Sequence, residues 1–288
     1  MKQSKLLSAL LSTSGVGAVL LTAGGLPTDA QAGISNTKHN LTLASNVNRV
    51  TGGAGTEVCV FCHTPHGADT SAPVPLWNKR VNTGATYTTY ASMGSSSMDG
   101  QSVATGSVSL ACLSCHDGTQ AMDNIINSAG SLGLVADGGA TNGQNYTWNG
   151  GARTDANGLL AAGATVATNI GADLRNDHPI GITYCGITAV PAAGPATTGC
   201  LDGDFKPYTT IGTGGATDAK YYVDTNASGT KDKSDMILYT RTFGAGSRPS
   251  VECATCHDPH VETKAATEVA FLRVSQANSG LCLSCHVK

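Results

Sequence analysis

Four five-residue segments of the chain share the pattern Cys-x-x-Cys-His. Their thiols are Cys59 and Cys62, Cys112 and Cys115, Cys253 and Cys256, and Cys282 and Cys285, and the histidines that follow are His63, His116, His257 and His286. The pattern is the attachment signature of c-type haem. Two thiols at this spacing reach the two vinyl groups of one porphyrin, and the adjoining imidazole is directed onto the iron. Because a zinc or thioredoxin-like Cys-x-x-Cys motif does not require the histidine, we predict four covalent haems.

Four histidines remain outside the motifs, and four haems need four distal ligands. These histidines are His39, His66, His178 and His260. Because the number of spare histidines equals the number of distal ligands needed, we predict two imidazoles on every iron. No iron position would then be open to a substrate, and we predict that the chain is not an enzyme. Methionine is the competing axial ligand. The methionines available for it are Met93, Met98, Met122 and Met236.

Two of these histidines have an informative spacing. His66 follows His63, and His260 follows His257, by three residues. This separation is about one helical turn, so the second histidine lies on the same side of the macrocycle as the proximal ligand and cannot reach the far face of its own haem. We expect each to bind the iron of a neighbouring haem, which would hold two porphyrins close together.

The first 32 residues have the three parts of an export signal. Lys2 and Lys5 begin it, an apolar stretch runs over 6–21, and Ala30–Ala32 reads Ala-Gln-Ala, a typical cleavage site. A retained membrane anchor is the alternative, although the apolar stretch is short and interrupted. We predict a signal peptide over 1–32, no integral membrane span, and a mature protein that acts at the cell surface or outside the cell, or alternatively in the periplasm.

The composition favours an irregular fold. Leu, Ile, Val and Phe make up under a fifth of the residues, while glycine accounts for 36 of 288, a profile with little apolar core of its own. Four porphyrins can supply the missing core. We predict a single tetrahaem domain over 33–288, mostly coil wrapped around a haem stack, with short helices at the haem sites and few β-strands. The net charge of −3 and the lack of a basic stripe argue against nucleic acid as a partner.

A stretch over 117–251, rich in Gly, Ala, Thr and Asn, separates the second and third motifs. It lacks a hydrophobic pattern of its own, so we interpret it as an insert that covers the haems or forms subunit contacts. Within it, Pro179 restrains the backbone of His178. Cys185 and Cys200 are the only cysteines outside the haem motifs, and in an oxidising compartment we expect a disulfide between them. Two free thiols are the alternative.

A hairpin is predicted from Tyr221–Val223 and Met236–Tyr239. The connection between them resembles a calcium loop in the spacing of its oxygen side chains and in the glycine at its sixth position. The candidate calcium ligands are Asp224, Asn226, Ser228, Thr230, Asp232 and Asp235. Flanking strands instead of helices, and Asp instead of Glu at the last ligand position, favour an ordinary solvated turn, and both alternatives stay open.

These motifs and their surroundings resemble secreted multihaem c-type cytochromes. The resemblance rests on His39, Cys59–His66, Leu76–Asn78, Cys112–Gly118, Asp177–Pro179 and Cys253–His260. The chain looks most like the tetrahaem cytochromes of the OmcE type, which form extracellular nanowire filaments, although its middle segment hardly takes part. The resemblance implies bis-histidine haems stacked into a continuous chain, self-association into a homopolymer, and one axial histidine donated across the subunit interface. His39 is the first candidate donor because it lies on a terminal arm.

Electron transfer is the function that these residues predict. Six-coordinate haems pass single electrons and bind no substrate. The first hypothesis is a subunit of an extracellular conductive filament, whose partners are further copies of itself, other redox proteins or extracellular electron acceptors. The alternatives are a soluble periplasmic tetrahaem shuttle and a multihaem reductase, which the lack of an open iron position disfavours.

Overall fold

The computed structural model describes residues 33–44, 49–52, 57–94, 98, 100–128, 147–148, 154–155, 158–161, 168–186, 200, 202–211, 219–244, 246–261 and 271–287. All of them belong to one unit, Ala32–Lys288. The predicted signal peptide over 1–32 lies outside the described residues. Within the described ranges, no helix is both long enough and apolar enough to cross a membrane.

The described part of the chain is built from short elements. The α-helices are α1 (Ser109–His116), α2 (Cys253–Cys256) and α3 (Gly280–Leu283), and single turns of 3₁₀ helix cover Ile34–Asn36, Tyr90–Met93 and Ala277–Ser279. The strands are β1 (Val50–Gly52), β2 (Thr147–Trp148), β3 (Ile182–Thr183), β4 (Thr209–Thr210), β5 (Ala219–Val223), β6 (Met236–Phe243) and β7 (Gly246–Val251). The fold is mixed, with 15% helix and 20% strand, and a coil-dominated fold around a haem stack stays a prediction.

Five strands form one antiparallel sheet in the order β3-β7-β6-β5-β4, and β1 pairs separately with β2. The central strand β6 begins with four buried residues, Met236–Tyr239, whose apolar and aromatic side chains favour a pleated, buried position. It pairs with β5 through Val223 and Met236, which confirms the hairpin predicted from the sequence. Gly244, at φ +54°, then turns β6 back into β7, and glycine adopts this left-handed conformation without steric cost.

The sheet positions two parts of the candidate site. Strand β7 runs directly into α2, where Glu252 caps the helix and exchanges capping-box hydrogen bonds with Thr255. On the side of β7 that faces away from β6, Ile182 of β3 pairs with Val251. The segment that contains His178 leads into β3 and is therefore held beside the third Cys-x-x-Cys-His motif. The stretch over 117–251 thus supplies most of the strands of the scaffold.

Apolar side chains gather in separate clusters beside the cysteines. One cluster packs against Cys62 and Cys115, and its buried members are Leu41, Val50, Phe61, Met122, Trp148 and Leu160. A second packs against Cys256 and Cys285, and its buried members are Tyr184, Cys185, Tyr208, Val223, Met236, Leu238 and Val251. Two of the methionines considered as iron ligands, Met122 and Met236, are thus buried members of these clusters.

Candidate haem-binding site

Each motif is wound into about one helical turn. In three of them the histidine N–H donates to the carbonyl of the first cysteine, at 2.8 Å for His63 and Cys59, 3.2 Å for His257 and Cys253, and 2.9 Å for His286 and Cys282. The second motif lies inside α1, which ends at His116. Residues three apart on such a turn are neighbours on one face, so both thiols of a motif can meet one porphyrin edge. None of the eight motif cysteines is paired in a disulfide, so both thiols of each motif are left for haem attachment.

The histidine of the first motif faces a histidine that follows the third motif. The ring centroids of His63 and His260 are 6.0 Å apart, with 13° between the ring planes. Nδ1 of His63 lies 2.8 Å from the carbonyl oxygen of Pro75, and Nδ1 of His260 lies 3.2 Å from a carboxylate oxygen of Asp258. His260 therefore lies opposite the histidine of a different motif from the one it follows.

A second pair joins the terminal arm to the second motif. The ring centroids of His39 and His116 are 6.1 Å apart, with 62° between the planes. Nδ1 of His39 lies 3.1 Å from the carbonyl oxygen of Pro259, and Nδ1 of His116 lies 2.7 Å from that of Thr168. The His39 ring also stacks on Phe271 at 4.1 Å. The His39 ring therefore lies beside the second-motif histidine, His116, of its own chain.

These separations fit two imidazoles on one metal ion. A metal–imidazole bond is about 2.0 Å long, so two rings whose centroids lie 6.0 and 6.1 Å apart could each bind one metal ion held between them. In all four rings Nδ1 faces an oxygen that only accepts, so Nδ1 carries the hydrogen and Nε2 keeps its lone pair. Such an outer hydrogen bond commonly sets the tautomer and orientation of a metal-binding histidine.

His178 and His286 form a third association. The pKa of His178 is lowered chiefly by burial and further by the nearby His286, against the opposing hydrogen bond to the carbonyl of Pro179. Burial likewise lowers the pKa of His116. Both shifts favour the neutral imidazole, which is the form that binds a metal. His286 also packs against Phe205, with ring centroids 4.4 Å apart.

His66 and His257 are the two histidines left after these three associations. His66 is exposed, and its carbonyl oxygen accepts hydrogen bonds from Thr64 and Asn127. Ring contacts therefore bring four of the eight candidate iron ligands together in two pairs, an electrostatic interaction relates His178 to His286, and His66 and His257 are the last two.

The cysteines of successive motifs lie next to one another. Cys62 and Cys115 share the first apolar cluster, and Cys256 and Cys285 share the second. Between these clusters, the side chains of Cys112 and Cys253 are in hydrogen-bond contact. The four attachment segments thus form a continuous series in chain order.

A buried polar network joins the second and third motifs. The Glu252 carboxylate has no exposed surface and lies 2.6 Å from Nη1 of Arg241. Its second oxygen accepts a hydrogen bond of 2.5 Å from the hydroxyl of Ser109, the first residue of α1. The same hydroxyl accepts the N–H of Cys253 at 3.1 Å. Sequence patterns did not indicate this network, because Ser109 and Glu252 are separated by 143 residues.

Residues 75–81 wrap around the first motif. The Asn78 N–H donates to the carbonyl of Cys62 at 2.9 Å, and its side chain donates to the carbonyls of Val60 and Asn127. Trp77 is buried and stands edge-on to His63 at 6.2 Å. The next residue, Lys79, is a fully buried lysine that no motif in the sequence singled out.

The side chain of Asp69 binds the backbone at the end of residues 75–81. Its carboxylate accepts the backbone N–H groups of Ser71 at 2.6 Å and Val81 at 2.9 Å. Partial burial raises the pKa of this carboxyl, but the two N–H donors outweigh burial and leave the pKa below the ordinary 3.8. The ionised form of Asp69 is therefore the form that the fold stabilises.

Cys185 and Cys200 form a disulfide, with Cα atoms 5.1 Å apart. This is the pairing expected for the two cysteines outside the haem motifs. Cys185 lies in the turn that follows β3, and its side chain belongs to the second apolar cluster. The cross-link therefore ties the chain at Cys200 to the core beside the third and fourth motifs.

The connection between β5 and β6 is satisfied by its own hydrogen bonds. Asp224 accepts the N–H groups of Ser228 and Gly229, and Asp235 accepts those of Thr225 and Asp232. In the part of the chain that the structure describes, no group of three or more His, Cys, Asp or Glu side chains is placed to hold a metal ion. Calcium binding at this loop stays a prediction, which calorimetric titration of calcium into metal-free protein would test.

Comparison with known families supports haem attachment. Residues 248–288 match a family model described as a doubled CXXCH motif. This match indicates a multihaem c-type cytochrome. The matched region contains the third and fourth motifs of this chain, and such motifs indicate covalently bound haem c. No curated protein matches the chain.

Proposed function

We propose that this cytochrome transfers electrons through four bis-histidine c-type haems. The observation that carries the proposal is the pair of imidazole separations, 6.0 Å for His63 and His260 and 6.1 Å for His39 and His116. When bound, haem supplies a one-electron iron couple whose potential depends on its axial ligands and surroundings. Two protein ligands on each iron favour electron transfer over substrate chemistry, so we propose no catalytic activity.

The ligand sets follow from the pairs. We assign His63 and His260 to the haem on the first motif, and His116 and His39 to the haem on the second. We assign His286 and His178 to the haem on the fourth motif, because His286 lies near enough to His178 to lower its pKa. His257 and His66 then serve the third by elimination. Each histidine that follows a motif by three residues thereby serves a haem on another segment, so the first and third motifs exchange ligands.

Self-assembly into an extracellular filament is our first proposal for the working form. Its support is the resemblance to filament-forming tetrahaem cytochromes, together with the export signal predicted over 1–32. A periplasmic shuttle is the second candidate. The position of His39 beside His116 in its own chain favours the shuttle, because a protomer that supplies all eight ligands needs no neighbour to complete its haems.

Two measurements on purified protein test this function. Mass spectrometry of the denatured chain should find four covalent haems, and fewer would refute the tetrahaem proposal. Negative-stain microscopy at high protein concentration then separates the two working forms. Uniform thin fibres support the filament, and discrete particles support the shuttle.

A further inference from the structure

A lysine ammonium is buried against the first haem-attachment segment. Lys79 has no exposed surface. Its Nζ donates to three backbone carbonyls, those of Ala121 at 2.7 Å, Asn124 at 3.3 Å and Met122 at 3.4 Å. An ammonium has three N–H donors and no acceptor, so three carbonyl partners match the protonated side chain. A neutral amine would point its lone pair at one of these oxygens.

This ammonium lies beside the first motif. Lys79 Nζ donates to the carbonyl of Met122, and Met122 is a buried member of the apolar cluster against which Cys62 packs. The neighbouring Asn78 hydrogen bonds to the backbone of the same motif at Val60 and Cys62. Lys79 is therefore fixed beside Cys62 by its own three bonds and by those of its neighbour.

The other cations near motif cysteines are weaker sources of positive potential. Arg273 donates from Nε to the carbonyl of Ala254 in the third motif, but it lies 3.8 Å from the carboxylate of Asp258, which offsets its charge. The N–H of Lys206 donates to the carbonyl of Cys285, but its side chain is only partly buried, so solvent screens its charge. Between the second and third motifs, the charges of Arg241 and Glu252 offset each other in an ion pair.

We propose that the positive charge of Lys79 raises the reduction potential of the haem attached at Cys59 and Cys62. This haem then has the highest reduction potential of the four. Reduction lowers the charge on iron by one unit, and a nearby fixed cation stabilises the reduced state. The interaction is strong because Lys79 is surrounded by protein and not by water. The first electron to enter the protein then resides at the first motif. This inference rests on the proposed electron-transfer function.

The wild-type protein provides the first test. NMR spectra of haem methyl groups, recorded during stepwise reduction and assigned to each attachment site, give the order in which the four haems are reduced. The haem on Cys59 and Cys62 should be reduced first. A different haem in first place would overturn the inference, whereas a chain with fewer than four haems would overturn the proposed function instead.

Substitution of the lysine provides the second test. Lys79→Met should shift the potential of the haem on the first motif to more negative values than in the wild type, with smaller shifts at the other three. Lys206→Met is the matched control, and it should leave the reduction order unchanged. In Lys79→Arg, if the variant folds, the haem on the first motif should still be the first of the four to be reduced. Equal shifts at all four haems after Lys79→Met would show a merely structural role, and the wild-type reduction order still decides the matter if the variant does not fold.

Discussion

The buried ion pair between Arg241 and Glu252 gives the sharpest prediction about stability. Arg241→Met removes the cation whose Nη1 lies 2.6 Å from the Glu252 carboxylate. The carboxylate keeps the hydroxyls of Ser109 and Ser250 and the N–H of Thr255 as donors, but it has no exposed surface through which water can compensate its charge. Breaking one partner of a buried ion pair costs about 3–5 kcal/mol. We expect a loss of this size in the free energy of unfolding.

A matched exposed pair is the control for this experiment. Arg175 and Asp173 are also 2.6 Å apart, but their side chains are 45% and 55% exposed. Because solvent screens an exposed pair, Arg175→Met should leave stability nearly unchanged. The two variants remove the same functional group at the same distance from a carboxylate and differ in burial.

The assay is guanidinium unfolding of the oxidised holoprotein, followed by far-ultraviolet circular dichroism and by haem absorption. Without Arg241, burial should raise the pKa of Glu252, so its protonation at acid pH relieves part of the loss. The deficit of Arg241→Met relative to the wild type should therefore shrink as the pH falls and grow as it rises. A deficit no larger than that of Arg175→Met at neutral pH would refute the reasoning.

Three further predictions concern single groups. Replacing Cys185 and Cys200 by serine removes a cross-link across a separation of 15 residues, so the free energy of unfolding in denaturant titration should fall by about 3 kcal/mol; no change would show that the disulfide contributes nothing. Asp69→Asn should be less stable than the wild type above about pH 4, and this deficit should disappear as acid protonates the wild-type carboxylate below its lowered pKa; a deficit independent of pH would contradict the ionised role. His260→Gly should convert one ferric haem per chain to high spin in the absorption spectrum, and added imidazole should reverse the change; a spectrum unchanged from the wild type would exclude His260 as a ligand.

Much of the candidate site could be predicted from local patterns in the sequence. The four motifs are contiguous, and the count of spare histidines follows from the composition, so both could be found without a fold. The spacing of His66 and His260 from the preceding motif also limited which haem each can serve. The hairpin of β5 and β6 was predicted because its apolar residues are local to each strand.

Long-range packing decided the features that the sequence did not indicate. The partner of His39 depends on contacts of the terminal arm with Pro259 and Phe271, which lie more than two hundred residues away. Lysine side chains are usually exposed to solvent. The burial of Lys79 depends on its contacts with the carbonyls of residues 121–124, which only the folded structure brings beside it. The stretch over 117–251 contains strands too short for a periodic pattern, since β3 and β4 have two residues each.

The central claim is that one chain supplies both axial ligands to all four of its haems. Low-temperature EPR of the oxidised protein tests it most directly, on samples diluted until light scattering shows single protomers. The account predicts only low-spin ferric haem at every concentration. A high-spin signal that persists, or one that grows on dilution because a neighbouring subunit had supplied a ligand, would contradict it.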